Sequence, residues 1–228
     1  MPTIAVMDLE TTGLDTLNDR ITDVGVILYN SESNRIVKKY STLVQQENVP
    51  DDITKLTNIT VELLNKFGIA EYYAVKYLMK VIDEADYVLA HNGTNFDFPM
   101  LENSLVRMGL PSLNKPRIDS CVDFPYPVNI KTRKLSYLMA EHGLAIQQPA
   151  HQAITDAESL LQLMLKYDIN EIIERSLEEN VVVRAIVHKD DNYLVKNLGF
   201  RWTNKKWVKT VKRSEVEMIR QECSFPVV

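Results

Sequence analysis

Asp8 and Glu10 stand two residues apart at the end of a short apolar run, Thr3-Ile4-Ala5-Val6-Met7. The period of two in a strand turns both carboxylates to one face. Two acids side by side at the edge of a core repel each other, and a hard divalent cation with oxygen ligands relieves that repulsion. A lone Asp-x-Glu is equally what two surface acids before a turn look like. A second group, His91-Asn92-Gly93-Thr94-Asn95-Phe96-Asp97, follows the apolar run Tyr87-Val88-Leu89-Ala90 and leads into a helical pattern. Asp97 falls in the first turn of that helix, where a carboxylate can simply cap or favour the dipole by ~1 kcal/mol. A third group, His151-Gln152-Ala153-Ile154-Thr155-Asp156-Ala157, precedes the apolar stripe Leu160, Leu161, Leu163, Met164 and Leu165, so Asp156 enters a helix that must pack on something apolar. Taken singly, a histidine near a helix start is usually just solvated, and Phe96 beside a strand end is ordinary core as readily as a surface for stacking.

These groups need elements to hold them together. The chain has 228 residues, 45% of them hydrophobic and 25% charged, enough for one full domain and an appendage of about fifty residues. Strands are expected at Thr3 to Met7, Ile21 to Tyr29 and Arg35 to Val44, the last two joined by a polar hairpin loop, and further short strands at Tyr87 to Ala90 and Arg117 to Asp119. Helical spacing predicts two helices between Val61 and Ala85 broken near Gly68, then helices over Asn95 to Met108, Lys134 to His142, and His151 to Tyr167. After Asn180 the pattern restarts as a strand (Val181 to Val187), a short helix (Asn192 to Leu198), a tight hairpin (Phe200 to Val211) and a last helix (Ser214 to Glu222).

No apolar stretch approaches the ~20 residues that span a bilayer, and the start lacks the basic character of a signal peptide, so a cytoplasmic protein without membrane attachment is expected. Cys121 and Cys223 have no metal-like spacing and read as reduced structural thiols. The net charge of −5 divides unevenly: residues 1 to 180 carry 16 Lys and Arg against 26 Asp and Glu, whereas residues 181 to 228 carry 10 against 5.

With Asp8-Leu9-Glu10-Thr11-Thr12-Gly13, then His91 through Asp97 followed by Pro99-Met100-Leu101, then His151 through Ala157, in that order, the chain resembles the DEDDh (DnaQ-like) exonucleases. This ribonuclease H-like family includes the proofreading subunit of bacterial DNA polymerase III. The connecting pieces Leu56-Thr57-Asn58-Ile59-Thr60, Arg117-Ile118-Asp119-Ser120 and Lys134-Leu135-Ser136-Tyr137-Leu138 also have counterparts, and the resemblance covers nearly all of residues 3 to 167. It implies an α/β fold with a mixed five-stranded sheet flanked by helices. It also implies that Asp8, Glu10, Asp97 and Asp156 hold two divalent ions, Mg²⁺ or Mn²⁺, with His151 as general base. The partner would be the 3′ end of a nucleic acid, with DNA favoured over RNA, and the product a 5′-mononucleotide. Thr11 and Leu14 are the candidates to grip the terminal nucleotide, with His91, Asn92 and Phe96 beside them, and a polymerase on a separate chain is the candidate protein partner. An exoribonuclease of the same fold and a catalytically silent nucleic-acid-binding or polymerase-tethering protein are the alternatives.

Residues 1–178 are thus expected to form the exonuclease domain and 179–228 a small basic α+β module. In the module, Arg201, Trp202, Lys205, Lys206, Trp207 and Lys209 alternate charge and aromatic rings on a hairpin, a pattern suited to holding single strands by charge and stacking. The two tryptophans would serve as well for the core of so small a unit.

Overall fold

The structure is a computed structural model and describes residues 2–127, 130–145 and 151–228. Three strands come first: β1 (Thr3–Thr11), β2 (Ile21–Asn30) and β3 (Arg35–Leu43), paired antiparallel in sequence order. β2 is buried from Ile21 to Tyr29, which is why ITDVGVILY is almost continuously apolar instead of alternating. β3 is an exposed edge carrying Lys38 and Lys39, charges that oppose edge-to-edge pairing. Helices α1 (Asp51–Thr57), α2 (Val61–Phe67) and α3 (Glu71–Asp83) lead to β4 (Tyr87–Ala90), which lies parallel beside β1. After α4 (Asp97–Met108), the strand β5 (Arg117–Asp119) pairs parallel with β4, completing a mixed sheet in the order β3-β2-β1-β4-β5. Helix α4 stops at Gly109, whose φ of 64° is the left-handed conformation that glycine adopts without a Cβ clash. Helices α5 (Ser120–Asp123), α6 (Leu135–Glu141), α7 (Ala153–Met164) and α8 (Ile169–Leu177) follow.

The alternation of side chains along β1 sorts the core into two layers. Ala5, Met7 and Leu9 enter a cluster with Val75, Leu78 and Ile82 of α3 and Leu101 and Leu105 of α4. Ile4 and Val6 face the other way, into a cluster with Leu138 and Met139 of α6 and Leu160, Leu163 and Met164 of α7. Asp8 and Glu10 continue this second face. The fold class is the expected ribonuclease H-like α/β arrangement.

Beyond α8 the chain forms β6 (Asn180–Ala185), α9 (Asn192–Asn197), β7 (Arg201–Thr203), β8 (Lys206–Lys212) and α10 (Val216–Glu222). The three strands make a separate antiparallel sheet in the order β6-β8-β7. Its core is its own, built from Val183, Val195, Phe200, Trp207, Val211 and Ile219 with Phe225 and Val227. Lys212 is fully buried and pairs with Asp123 of α5 at 2.5 Å, and Arg175 of α8 pairs with Glu215 at 2.6 Å. Desolvation offsets much of the attraction in such a pair, so its main effect is on geometry: losing one partner would strand a buried charge at a cost of ~3–5 kcal/mol. The module is therefore held against α5 and α8 in one defined position. Among the described residues no helix is long and apolar enough to cross a membrane.

Several boundaries differ from expectation. The first strand runs on to Thr11, because β2 continues to pair with it, across a register shift after Glu10, as far as Thr11 opposite Ile21. The helix expected from His151 to Tyr167 begins only at Ala153 and ends at Met164; His151 has φ of 60° and lies outside it. The helix expected from Asn95 begins at Asp97, the strand expected to Val187 ends at Ala185, and the helix expected from Ser214 begins at Val216 after a 3₁₀ turn. Helices α1, α5 and α8 are beyond the expected set. In α8 the signal is present: Asp168 accepts a hydrogen bond from the Asn170 N–H as N-cap, and Ile169, Ile172 and Ile173 recur at helical spacing among five polar residues.

Candidate active site

Gly25 of β2 lies opposite Asp8 of β1. A Cβ there would come within 2.3 Å of the Ala153 carbonyl carbon and the Ile154 nitrogen, so glycine is what lets the first turn of α7 rest directly on the sheet. Two residues earlier on β2, the buried Asp23 accepts a hydrogen bond from the Ala153 N–H at 3.1 Å, satisfying one of the free donors at the start of α7. Helix α7 is thus seated by a close approach and by a carboxylate, and its first-turn Asp156 is carried to Glu10. Glu10, His151 and Asp156 each offer a ligand atom within 4.8 Å of the others.

Asp97 comes from the opposite side. It opens α4, is 2% exposed, and its Oδ1 accepts the Leu9 N–H at 3.2 Å, which ties it to β1 between the two acids of that strand. The preceding loop is held by Asp119 at the end of β5, which accepts the Thr94 N–H at 3.0 Å and the Cys121 N–H at 2.9 Å. Asn92, at φ of 59°, starts the turn and accepts the Asn95 and Phe96 N–H groups on its carbonyl; asparagine tolerates this left-handed conformation better than most residues. The His91 ring is anchored to the Ser120 hydroxyl at 2.7 Å.

The four acids and His151 line one open cleft of about 430 Å³, and Leu9, Leu14, His91, Asn92, Asn95 and Phe96 complete its wall. Leu14 is 83% exposed at the rim. Phe96 serves both readings, since one part packs on the core against α3 and α4 while another faces the cleft. Thr11 is buried and its hydroxyl donates to the Gly13 carbonyl, shaping the turn, so of the hydroxyl and amide expected to grip a nucleotide the hydroxyl is already engaged. In the module, Trp207 is likewise not available for stacking. It is buried in the core, with its indole N–H donating to Asn192 at 2.8 Å, because so small a sheet needs its largest ring inside. Trp202 is 59% exposed, Arg201, Lys205 and Lys206 are exposed, and Lys209 is half-buried with its ammonium donating to the Leu198 carbonyl. Sequence reasoning missed Asp23, Gly25 and Asp119, which shape the site without opening onto it. An Asp and a Gly inside an otherwise apolar strand were the available signal for the first two.

Burial first, and then the neighbouring acids, raise the carboxyl pKa values. Asp8 is pushed well above the usual carboxylate range by burial and by the charges of Asp97, Glu10, Asp156 and Asp23. Burial with Asp156, Asp23 and Asp97 pushes Glu10 up to about 8. Burial pushes Asp97 up to about 7 against the opposing bonds from its own and the Leu9 backbone N–H, and it pushes Asp23 up to about 6. Burial also raises Asp156, opposed by His151. No lysine or arginine is among the described residues that line the cleft. A crowd of uncompensated oxygen donors suits hard divalent cations.

A measurable pH dependence follows. A carboxyl whose folded pKa exceeds its unfolded value of ~4 holds its proton more tightly in the folded chain. The folded state is therefore favoured at low pH and loses that advantage as pH climbs from there through about 8, the value for Glu10. In chelator, the melting temperature is expected to fall between pH 5 and pH 8. Mg²⁺ or Mn²⁺ at a hundredfold its Kd should add ~2.7 kcal/mol, roughly 5–10 °C for a chain of this size, at pH 8, and much less at pH 5. Thermal melts that ignore divalent ions at pH 8 would remove the metal assignment.

The family model RNase_T, described as exonuclease, matches residues 5–164. The PolC-type DNA polymerase III of Clostridium perfringens is 29% identical over 192 residues, covering 83% of this chain and 12% of that protein. The 3′-5′ exonuclease DinG of Staphylococcus saprophyticus is 31% identical over 169 residues, covering 72% of this chain and 18% of that protein. The chain thus spans less than a fifth of the length of these relatives. Among solved structures, the zinc-bound form of the E. coli Exonuclease I complex with single-stranded DNA matches with a TM-score of 0.68 at 16% identity, over 100% of this chain and 62% of that one. With the family model spanning more than half of its length on a ribonuclease H-like sheet, the chain belongs to the exonuclease family, in its DEDD type.

Proposed function

We propose that this protein is a 3′-to-5′ exodeoxyribonuclease that hydrolyses terminal phosphodiesters by a two-metal-ion mechanism and releases 5′-mononucleotides. Residues 1–178 would carry the chemistry and residues 179–228 would form a small basic module that contacts nucleic acid. The observation that carries the reading is the convergence of Asp8, Glu10, Asp97 and Asp156, from two strand positions and two helix starts, on one cleft with His151 exposed at its edge.

The four carboxylates would hold two divalent ions, Mg²⁺ or Mn²⁺, which when bound neutralise charge at the scissile phosphate and acidify a water. His151, exposed beside Glu10 and Asp156, would accept a proton from that water, and imidazole is the side chain suited to exchanging protons near neutrality. Leu14 and Phe96 give the terminal base apolar walls, while His91 and Asn92 flank it with polar groups. DNA is the favoured polymer because the relatives include a DNA polymerase and the matching Exonuclease I structure holds single-stranded DNA. The PolC similarity is also why a polymerase is the proposed protein partner.

The test is digestion of 5′-end-labelled single- and double-stranded DNA and RNA with Mg²⁺, Mn²⁺ or chelator. DNA should shorten one nucleotide at a time from its 3′ end, with mononucleotide product and no reaction in chelator. Internal cleavage, or activity without metal, would sink the proposal; faster digestion of RNA would replace it by the exoribonuclease reading, and binding without digestion by the tethering one.

A further inference from the structure

The active-site cleft does not end at the loop of residues 91–97. Asn92 and Asn95 line it on one side, and on the other they line a second cavity of about 300 Å³ between the exonuclease fold and the C-terminal module. A third, of about 240 Å³, continues from the second and shares Arg133, Arg201 and Lys209 with it while adding Lys131 and Lys196. None of these five cations pairs with a carboxylate among the described residues, whereas Arg175, Lys212, Arg213 and Arg220 nearby all do. The one acid lining the second cavity, Glu215, is held by Arg175, and no acid lines the third.

Arg133 is the most informative member. Its guanidinium stacks on the Tyr126 ring, 4.4 Å from the centroid, yet its Nη1 is buried without a hydrogen-bond partner among the described residues. A buried donor left unsatisfied costs ~1–3 kcal/mol, more when charged, so an acceptor belongs there. Lys209 lies close enough that the Arg133 charge, after burial, lowers its pKa. Two cations are thus kept near each other in a partly desolvated crevice, and the acid whose charge reaches both, Glu215, is already paired with Arg175. A row of unneutralised Arg and Lys leading out of an acidic reaction cleft has the charge pattern of a path for a phosphodiester backbone.

Resting on the exonuclease reading, we infer that the single strand whose 3′ end lies among Asp8, Glu10, Asp97 and Asp156 passes over Asn92 and Asn95 and runs between the two modules, its upstream phosphates held by Arg133, Arg201 and Lys209. This moves the module's nucleic-acid contact from the outer face of the hairpin, where Trp202 and Lys205 lie, to its inner face. It also makes the docking through Lys212 and Asp123 functional, since that contact sets the width of the crevice. Arg guanidinium forks suit phosphate oxygens, and the Tyr126 ring fixes the orientation of the one that is buried.

The experiment compares three substrates on the full-length protein: thymidine 5′-p-nitrophenyl phosphate, which needs only the reaction cleft, a DNA 3-mer and a DNA 15-mer. Wild-type KM should be much lower for the 15-mer than for the 3-mer. The exposed pair Arg201→Ala with Lys196→Ala, whose fold is not at stake, and separately Arg133→Gln, should raise KM for the 15-mer about tenfold. Ester hydrolysis and 3-mer KM should stay unchanged. The slope of log affinity against log salt should shrink by about 0.7 for each phosphate contact removed. Equal wild-type KM for 3-mer and 15-mer, or a loss in the variants shared by all three substrates, would overturn the path. If no substrate is hydrolysed, the exonuclease reading fails first, and 15-mer binding by fluorescence anisotropy in chelator then decides: weaker binding in the variants supports the path, and unchanged binding overturns it. Displacement of the 15-mer by dTMP in wild type but not in the variants would assign the crevice to a free nucleotide and overturn the strand path.

Discussion

Asp156→Asn is expected to reduce mononucleotide release by about a thousandfold while raising the melting temperature of the metal-free protein. The first effect comes from removing a charged oxygen from the set that would hold the divalent ions, whose stabilisation of transition-state charge is worth several kcal/mol, with about 1.4 kcal/mol per factor of ten. The second comes from the same crowding. Asp156 raises the pKa of both Asp8 and Glu10, so neutralising it relieves like-charge repulsion that the folded chain otherwise carries at pH 8. Asparagine keeps the shape and can still accept a backbone hydrogen bond. Single-turnover digestion and thermal melts in chelator at pH 8 read out the two effects. A lower melting temperature would show that Asp156 supports the fold, and an undiminished rate would remove it from the reaction.

His151→Ala should lower kcat by ~10²–10⁴-fold with little change in KM, and should flatten the dependence of rate on pH near neutrality. The side chain is exposed and contributes nothing to the core, so the variant is expected to fold normally. Because a His151 ring nitrogen lies within ligand distance of Glu10 and Asp156, a metal titration is needed as well. A general base leaves the metal concentration at half-maximal rate unchanged; a ligand moves it upward. Retention of full rate and of the pH profile would assign the proton transfer to another group.

Much of the fold could be read from residue order. The strand β5 needed only Arg117-Ile118-Asp119 after a Gly and Pro stop, and β4 only four apolar residues. Helix α4 was legible from its apolar spacing and Gly109, though its start was placed two residues early, since nothing local distinguishes Asn95 in a turn from Asn95 in a helix. His151 was drawn into α7 for a related reason. Its left-handed φ of 60° sets it outside the helix, and a histidine before an apolar stripe reads equally well as a helical residue. Burial pushes the Cys121 thiol up to about 12, far from a reactive thiolate.

The least legible parts were those where one residue's meaning depends on a distant partner. Asp23 looks like an interruption in a strand until Ala153, 130 residues later, donates to it. Alternating Lys and Trp on the hairpin give no hint of which ring is inside. The two rings are opposed on one face of the hairpin, but β8 is the central strand of its sheet and β7 the edge, so Trp207 is covered by the core and Trp202 stays exposed.

From its amino acids alone, this chain determines most of its strands and helices, and through its resemblance to the DEDDh exonucleases it implies the mixed sheet and singles out five side chains. Strand and helix periods act over a few residues, and the three short motifs are local. Tertiary structure alone decides that those five share a cleft, that Gly25 and Asp23 seat the helix bearing Asp156, and that a basic crevice opens between the modules. Burial, charge coupling and close packing are properties of residues brought together in space, and no local pattern encodes the partner.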